Sequence, residues 1–247
     1  MRDIKTKGII LRKIAYRETS VILDVLTPDF GVITVMAKGI RKAKSKSEGL
    51  LEILNEVDLL LYKKPNSDWY LYKSATIINA NIFGINFDAQ ILMQAATEIY
   101  RQLIIHSEES IEFYELLNDY FGYIKSVKKN GIAIFWRFLL KIYKIYGISL
   151  NLQTCVLCGG NLNEISAYYP HKHGFICQKC FRANFPVIGL ANEVTSILAQ
   201  IYDIGNQLEN ISISKSAIKQ INRIFLLHLS EQFHKKFYLK SIELLTN

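Results

Sequence analysis

The chain has 247 residues, of which 50% are hydrophobic and 12% are aromatic. This composition excludes a disordered chain, which would be poor in aromatic and β-branched residues, and the length suffices for two modest domains. The formal net charge of +8 and the pI of about 9.2 favour a polyanionic partner such as nucleic acid.

The sequence gives no sign of export or of a membrane span. The charged residues of the first seven positions precede an apolar run that is short and interrupted by polar residues, unlike a secretory signal. The most apolar stretch, residues 131–146, contains Arg137, Lys141 and Lys144, whereas a spanning helix needs about 20 mostly apolar residues. We therefore expect a cytoplasmic protein.

The first 80 residues have the pattern of short β-strands. Segments rich in β-branched and aromatic residues predict strands over residues 8–14, 20–26, 32–37, 57–62 and 69–74. The sequence Thr-Pro-Asp-Phe-Gly at 27–31 predicts a tight turn, and residues 63–68 predict a second hairpin connection. Four or five short strands in this length favour a small antiparallel barrel, and we assign residues 1–80 to an OB-fold that binds nucleic acid.

From about residue 88 the hydrophobic period becomes helical. Helices are predicted over residues 88–104, 112–125, 132–146, 192–201 and 214–237, with Gly147 as a C-terminal cap and Ser214 as an N-cap. The third helix is apolar almost all round, which indicates the central helix of the body. The predicted fold class is therefore α+β, with a helical domain formed by residues 81–150 and 187–247 and interrupted by an insertion at 151–186.

The insertion contains all four cysteines, as two C-x-x-C pairs separated by 18 residues. Cys155, Cys158, Cys177 and Cys180 match the spacing of zinc sites, in which four thiolates surround one metal ion. A complete set of four ligands predicts one closed, structural Zn²⁺ site. A redox dithiol and simple buried cysteines are alternatives, and His171 or His173 in the intervening loop could compete as ligands.

The densest basic cluster follows the third predicted strand. Residues 38–46 carry five positive charges and no acidic residue, among glycine, alanine and serine, so this loop can follow a phosphate backbone. A solvated loop without a ligand is the alternative. The first hairpin contributes three more cations, and the predicted DNA-binding residues are Lys38, Arg41, Lys42, Lys44, Lys46, Arg12, Lys13 and Arg17.

Aromatic residues near this loop are candidates for base stacking. They are Tyr16, Phe30, Trp69, Tyr70 and Tyr72. Because strand residues alternate between two faces, Trp69 and Tyr70 point to opposite sides, and at most half of these rings can stack on bases. Two weaker basic groups occur outside the barrel. One is the stripe Arg137, Lys141 and Lys144, and the other is formed by Lys235, Lys236 and Lys240.

No catalytic constellation is visible in the sequence. The chain lacks the phosphate-binding loop, the dinucleotide fingerprint, the H-E-x-x-H zinc motif and the G-x-S-x-G nucleophile motif. We therefore expect a protein that is not an enzyme. A zinc-containing enzyme that modifies nucleic acid and a pure interaction scaffold are the competing interpretations.

The order of these parts resembles the RecO family of bacterial DNA-repair proteins along essentially the whole chain. The opening segment at 6–11, the Tyr-Arg-Glu-Thr-Ser segment at 16–20 and the closing segment at 239–244 are similar to the family pattern. The most specific part is the turn at 26–31 followed by Ala-Lys-Gly-Ile-Arg-Lys at 37–42. The two C-x-x-C pairs match the family's zinc module.

This resemblance implies a recombination mediator with an N-terminal OB-fold, a helical domain and a zinc-binding insertion. It implies a protein that binds single- and double-stranded DNA and anneals complementary strands. It also implies that the protein works with RecR to load RecA onto DNA coated by single-strand-binding protein, whose acidic C-terminal tail it contacts. The expected location is the cytoplasm, in association with the nucleoid.

Overall fold

The computed structural model describes residues 2–41, 49–63, 65, 67–162 and 164–246. The chain forms two compact units, Met1–Ser126 and Val127–Asn247, which are described separately below. None of the described helices is both long enough and apolar enough to cross a lipid bilayer.

The first unit begins with a closed barrel of five strands. These are β1 (Arg2–Tyr16), β2 (Ser20–Thr27), β3 (Gly31–Ala37), β4 (Glu56–Lys63) and β5 (Trp69–Asn79). The strand order is β1-β2-β3-β5-β4, and only the β3–β5 pairing is parallel. This OB-like arrangement confirms the predicted fold class. The 15-residue β1 is longer than predicted because its first half pairs with β4 and its second half with β2.

Alternating side chains fill the barrel. Every second residue of β3 is buried, so Ile33 and Val35 point into a core that also contains Val25, Leu59 and Tyr70. The long connection from β3 to β4 adds two buried side chains to this core, Ile40 and Leu51.

The predicted turn between β2 and β3 is confirmed. The Thr27 hydroxyl donates to the Gly31 carbonyl over 3.0 Å and accepts from the Phe30 N–H over 3.1 Å. Gly31 has a φ of +66°, a region that favours glycine, and a Cβ at this position would lie 2.5 Å from the Ile105 carbonyl oxygen. Glycine is therefore required here both by conformation and by space.

Two helices complete the first unit. They are α1 (Phe87–Tyr100), capped by the Asn86 side chain, and α2 (Ser110–Ile124). The predicted extension of α1 to residue 104 is wrong, because the helix ends at Tyr100. Although α1 and α2 share a compact unit with the barrel, the division of the chain into domains at residue 80 stays a prediction.

Buried hydrogen bonds attach α2 to the barrel. The Tyr114 hydroxyl donates to Glu56 Oε1 on β4 over 2.6 Å, and Asn79 on β5 donates to the other oxygen of the same carboxylate. The Ser110 hydroxyl donates to the Pro28 carbonyl over 2.5 Å. Glu56 is buried, so the donors from Tyr114 and Asn79 satisfy a charge that would otherwise be costly to remove from water.

The second unit consists of four helices and a small sheet. The helices are α3 (Gly131–Ile145), α4 (Asn192–Ala199), α5 (Lys215–Gln232) and α6 (Glu243–Thr246). The antiparallel sheet has the order β7-β6-β8 and consists of β6 (Ile165–Tyr169), β7 (Gly174–Cys177) and β8 (Ile188–Gly189). Short 3₁₀ turns occur at Pro170–Lys172 and Ile204–Asn206.

Helix α3 is the core of this unit, as its composition predicts. Its buried Trp136 donates to the Asn222 side chain over 2.7 Å, and its Tyr143 hydroxyl donates to the Phe225 carbonyl over 2.8 Å. Both partners lie on α5. Ser214 caps α5 as predicted, since its hydroxyl accepts from the Ala217 N–H over 3.1 Å.

The predicted end of α5 at residue 237 is wrong. The helix ends at Gln232, where His234 adopts a φ of 49° and the Lys235 N–H donates back to the Ser230 carbonyl over 3.0 Å. This turn brings the Phe237 ring within 5.7 Å of the Phe233 ring. The apolar spacing thus continues past the helix end because the chain folds back on itself.

Candidate metal centre and nucleic-acid interface

The four cysteine thiols meet at one point of the second unit. The Sγ atoms of Cys155, Cys158, Cys177 and Cys180 all lie within 4.8 Å of one another, and those of Cys158 and Cys177 are 3.9 Å apart. A tetrahedron with metal–sulfur bonds of about 2.3 Å has sulfur–sulfur edges of roughly 3.8 Å. The arrangement of these thiols therefore fits a single four-coordinate metal ion.

Tight turns position the thiols. In the first pair, the Gly159 N–H donates to the Cys155 carbonyl over 2.9 Å, and Gly159 has a φ of +70°. In the second pair, the Phe181 N–H donates to the Cys177 carbonyl over 3.1 Å. The Cys177 N–H points at the Cys155 sulfur at 3.4 Å and joins the two turns. Backbone N–H groups thus face the sulfurs, as metal–thiolate sites require.

The environment favours a thiolate at Cys155. Burial would raise the pKa of this thiol, but the backbone N–H groups of Cys177, Cys158 and Leu157 hold the pKa at about 6. In contrast, hydrogen bonds that the Cys180 thiol donates to the sulfurs of Cys158 and Cys177 raise the pKa of Cys180 to about 12. Four adjacent sulfurs cannot all carry a negative charge alone, so full deprotonation of the cluster requires a bound cation.

The two histidines of the intervening loop have other neighbours. His173 Nδ1 lies 3.2 Å from Glu231 Oε2, and the His171 ring packs 6.0 Å from the Tyr169 ring. Within the described part of the chain, the ligand cluster consists of the four cysteines alone.

A buried histidine of helix α5 connects this helix to the sheet that carries part of the candidate metal centre. His228 of α5 lies with Nε2 2.7 Å from the Ile148 carbonyl oxygen and with Nδ1 3.3 Å from the Tyr168 hydroxyl of β6. The carbonyl can only accept, so Nε2 carries the proton and the tyrosine donates to Nδ1. Burial lowers the pKa of His228, which favours this neutral form.

The candidate nucleic-acid surface is at one end of the barrel. The Arg41 N–H donates to the Thr19 carbonyl over 2.9 Å, and Arg41 Nη1 donates to the Arg17 carbonyl over 3.4 Å. Arg17, Lys38 and Arg41 are all exposed, so the β1–β2 turn and the start of the β3–β4 loop bring their charges to one surface. The other predicted loop residues, Lys42, Lys44 and Lys46, lie outside the described residues.

Two of the predicted DNA-binding residues already have acidic neighbours. Lys13 Nζ lies 2.6 Å from Glu52 Oε1, and its side chain is only 17% exposed. Arg12 Nη1 lies 3.6 Å from Asp24 Oδ2. Their charges are therefore compensated within the barrel, unlike those of Arg17 and Arg41, for which the structure gives no ion pair within 4 Å among the described residues.

The aromatic residues divide between core and surface as strand alternation predicts. Tyr70 is buried in the barrel core and Tyr72 packs partly against it, whereas Trp69 is 40% exposed and Phe30 is 38% exposed. Sequence reasoning missed Lys63 at the end of β4, whose ammonium lies 4.6 Å from the centre of the Tyr70 ring. Its position at the start of the β4–β5 connection could have identified Lys63 from the sequence, because this connection is one of the two loops through which OB-folds often bind ligands.

The formal charge is unevenly divided between the two units. Residues 1–126 contain 16 of the 30 Lys and Arg residues and 16 of the 22 Asp and Glu residues, which gives a net charge of zero. Residues 127–247 contain the remaining 14 basic and six acidic residues, so they account for the whole excess of +8. The basic end of the barrel is therefore a local feature of an otherwise neutral unit.

Both halves of the sequence match family models. Residues 1–81 match the model described as Recombination protein O N terminal, and residues 86–241 match the model described as Recombination protein O C terminal. The two matches together cover nearly the entire chain, including the barrel and the cysteine cluster.

Curated relatives that match this chain are named DNA repair protein RecO. A DNA repair protein RecO from Chloroherpeton thalassium is 33% identical over 162 residues, which are 65% of this chain and 62% of that protein. One from Prosthecochloris aestuarii is 31% identical over 163 residues, 63% of this chain and 60% of that protein. The chain thus spans about three fifths of the length of these relatives.

A more distant relative extends the similarity to the rest of the chain. The DNA repair protein RecO of Acetivibrio thermocellus is 20% identical over 242 residues, which are 96% of this chain and 94% of that protein. With the family models that match residues 1–81 and 86–241, these findings show that the chain belongs to the RecO family of DNA repair proteins.

Proposed function

We propose that this protein is a recombination mediator that binds single- and double-stranded DNA and anneals complementary strands. We further propose that it acts with RecR to load RecA onto DNA coated by single-strand-binding protein, and that it contacts the acidic tail of that coating protein. The proposal rests chiefly on the family match to both halves of the chain. The exposed cations at one end of the OB-like barrel support it independently.

The proposed DNA contact is made by Arg17, Lys38 and Arg41 together with Lys42, Lys44 and Lys46. Cations that contact phosphates release counterions and bind without regard to base sequence. Trp69 and Phe30 are the exposed rings that can stack on bases. We expect smaller contributions from Arg12 and Lys13, because leaving Asp24 and Glu52 to contact DNA would cost each of them an existing ion pair.

Annealing requires no covalent step, so we propose that the protein is not an enzyme. Two DNA strands repel each other, and a basic surface that neutralises their phosphates lowers this repulsion. The bases remain free to pair when most contacts are made to the backbone. We propose the cytoplasm, in association with the nucleoid, as the place of action.

We propose one structural Zn²⁺ ion held by Cys155, Cys158, Cys177 and Cys180. Thiolates are soft ligands, and a tetrahedral set of four selects zinc among the common divalent ions. Because protein ligands would fill all four coordination positions, the ion would stabilise the fold of the insertion. The residues around it would hold the sulfurs in place through their backbone N–H groups.

The first test is fluorescence-monitored annealing of complementary oligonucleotides without ATP. We would compare wild type with Arg17→Gln/Lys38→Gln/Arg41→Gln. The control is Lys5→Gln/Lys7→Gln/Arg101→Gln, which removes the same charge from other exposed positions of the first unit. Wild type and control should anneal the strands, whereas the test variant should anneal them slowly.

The salt dependence of single-strand binding gives a second readout. Each phosphate contact contributes about −0.7 to the slope of log affinity against log salt concentration, so the loss of three contacts should flatten the slope by about 2. Equal slopes for the test and control variants would remove the barrel end from the binding surface. Failure of wild type to anneal at low salt would refute the mediator function itself.

A further inference from the structure

The C-terminal ends of helices α3 and α5 are neighbours in the second unit. In the first half of each helix, the Trp136 side chain of α3 donates to the Asn222 side chain of α5. Directly after the two helices, the ring centres of Tyr146 and Phe233 lie 5.0 Å apart. The contacts advance in the same direction along both helices, so the two helices run parallel and end at the same side of the unit.

Two basic groups that are far apart in the sequence meet at this end. Lys141 and Lys144 are exposed in the last turns of α3. After α5 the chain folds back, and the Phe237 N–H donates to the Ser230 hydroxyl over 3.0 Å, so residues 235–240 lie beside the last turn of α5. We call the exposed residues of this surface the basic–aromatic end, and they are Lys141, Lys144, Lys235, Lys236, Tyr238 and Lys240.

The basic–aromatic end has an excess of positive charge. It carries five lysines, whereas the segments that form it contain two acidic side chains, Glu231 and Glu243. The carboxylate of Glu231 already lies 3.2 Å from His173 Nδ1. Among the described residues, no carboxylate lies within 4 Å of the ammonium of Lys141, Lys144 or Lys236. Cations grouped in this way raise the local concentration of a polyanion.

An exposed aromatic ring lies among these cations. Tyr238 is 53% exposed, and the Lys240 ammonium lies 6.0 Å from the centre of its ring. Surfaces that bind single-stranded nucleic acid combine cations, which contact phosphates, with aromatic side chains on which bases stack. An acidic peptide would use the cations but has no base to stack on the ring. The combination therefore favours nucleic acid as the ligand.

We propose that the basic–aromatic end is a second nucleic-acid-binding site, which contacts the phosphates of a DNA strand and stacks a base on Tyr238. The consequence for annealing rests on the proposed function. Annealing brings two strands together, so a chain with one site at the barrel end and another in the second unit would contact both strands without a second copy.

The test is the binding of fluorescein-labelled oligo-dT of about 16 nucleotides, measured by fluorescence anisotropy at low salt. The parent variant is Arg17→Gln/Lys38→Gln/Arg41→Gln, in which the barrel end contributes less to binding. The test variant adds Lys141→Gln/Lys144→Gln/Lys236→Gln to the parent. The control adds substitutions of exposed lysines at the opposite ends of α3 and α5, about 20 Å away along the helices, and these are Lys128→Gln/Lys129→Gln/Lys215→Gln.

The parent and the control should bind oligo-dT, whereas the test variant should bind at least about tenfold more weakly than the control. The loss of three phosphate contacts should also flatten the salt slope of the test variant by about 2. Lys144 lies in the last turn of α3, where a cation stabilises the helix. If its substitution removes the thermal unfolding transition, Lys141→Gln/Lys236→Gln takes its place, with Lys128→Gln/Lys215→Gln as the control.

Equal affinities of the test variant and the control would overturn the proposal. A parent variant that no longer binds oligo-dT would also overturn it, because the barrel end would then be the single site. Tyr238→Ala in the parent should weaken binding by about 5- to 100-fold, whereas Tyr238→Phe should not. An unchanged affinity of Tyr238→Ala, or equally tight binding of a glutamate peptide of matched charge, would assign the surface to an acidic peptide and overturn the proposal.

Failure of the proposed function is a distinguishable result. Annealing by the wild-type protein tests the mediator function, whereas the comparison of test variant and control measures binding alone. If the wild type binds oligo-dT but anneals no strands, the mediator function fails, and a difference between test variant and control still supports the second site.

Discussion

The attachment of α2 to the barrel provides a quantitative test of the fold, through the substitution Tyr114→Phe. The Tyr114 hydroxyl donates over 2.6 Å to the buried carboxylate of Glu56. Burial, and next to it the Glu56 carboxylate, hold the pKa of Tyr114 above its ordinary value, so the hydroxyl remains a donor. Removing it takes away one of the two side-chain donors to this carboxylate and leaves the Asn79 amide.

The expected loss in the free energy of unfolding is about 2 kcal/mol, since hydrogen bonds to charged groups contribute about 1.5–3 kcal/mol. The matched control is Tyr100→Phe, which removes a hydroxyl that donates over 2.9 Å to the Phe113 carbonyl in the same unit. A hydrogen bond between neutral groups contributes about 1 kcal/mol, so the control should lose half as much. With an unfolding entropy of about 2 cal/mol/K per residue, 2 kcal/mol lowers the Tm of a unit of this size by roughly 8 °C.

Urea unfolding of both variants and wild type, with linear extrapolation to water, measures the difference. Equal losses for the two tyrosines would refute the conclusion that Glu56 is a buried carboxylate held by Tyr114. A much larger loss for Tyr100→Phe would refute it as well. The slope of free energy against urea should stay unchanged, because neither substitution alters the surface exposed on unfolding.

Three further results are expected. Removal of metal by a chelator should abolish the protection of the backbone amides of residues 151–186 from hydrogen exchange. Added zinc should restore this protection, whereas magnesium should not. Protection that survives chelation would contradict a structural metal. Trp69→Ala should weaken single-strand binding by about 5- to 100-fold if the exposed ring stacks on a base, and an unchanged affinity would remove Trp69 from the binding surface. Burial lowers the pKa of His228 below its ordinary 6.5, so the unfolded chain binds a proton first as the pH falls. Urea unfolding of the second unit should therefore show stability that is present above pH 6.5 and lost below it, and His228→Gln should not show this loss.

The sequence predicts those features whose determinants are close together in the chain. The two C-x-x-C pairs indicate four ligands because each pair forms one turn, and their thiols do converge within 4.8 Å. Strand alternation correctly separates the buried Tyr70 from the exposed Trp69. Ser214 is a correct N-cap because its hydroxyl bonds only three residues ahead.

Features that depend on distant partners could not be predicted in this way. The ion pair of Lys13 with Glu52 joins residues 39 positions apart, and the bond of Tyr114 with Glu56 joins residues 58 positions apart. The sequence shows Lys13 as one more cation near a basic loop, while the structure shows it half-buried against a carboxylate. Likewise, the apolar period past Gln232 predicts a longer helix because folding back preserves the same spacing of buried rings.

Under the proposed function, the uneven charge of the two units assigns long-range attraction to DNA and direct contact with DNA to different parts of the chain. Charges beyond about 8–10 Å are screened at physiological salt, so approach to DNA depends on net charge whereas contact depends on neighbouring side chains. Residues 1–126 have no net charge, so the proposed binding of phosphates at the barrel end would depend on the local grouping of Arg17, Lys38 and Arg41 with the neighbouring loop lysines. Exposed carboxylates on α2, at Glu112, Glu115 and Asp119, would repel DNA from another part of the same unit. Under the proposed function, long-range attraction to DNA would then come from residues 127–247, which carry the full excess of +8.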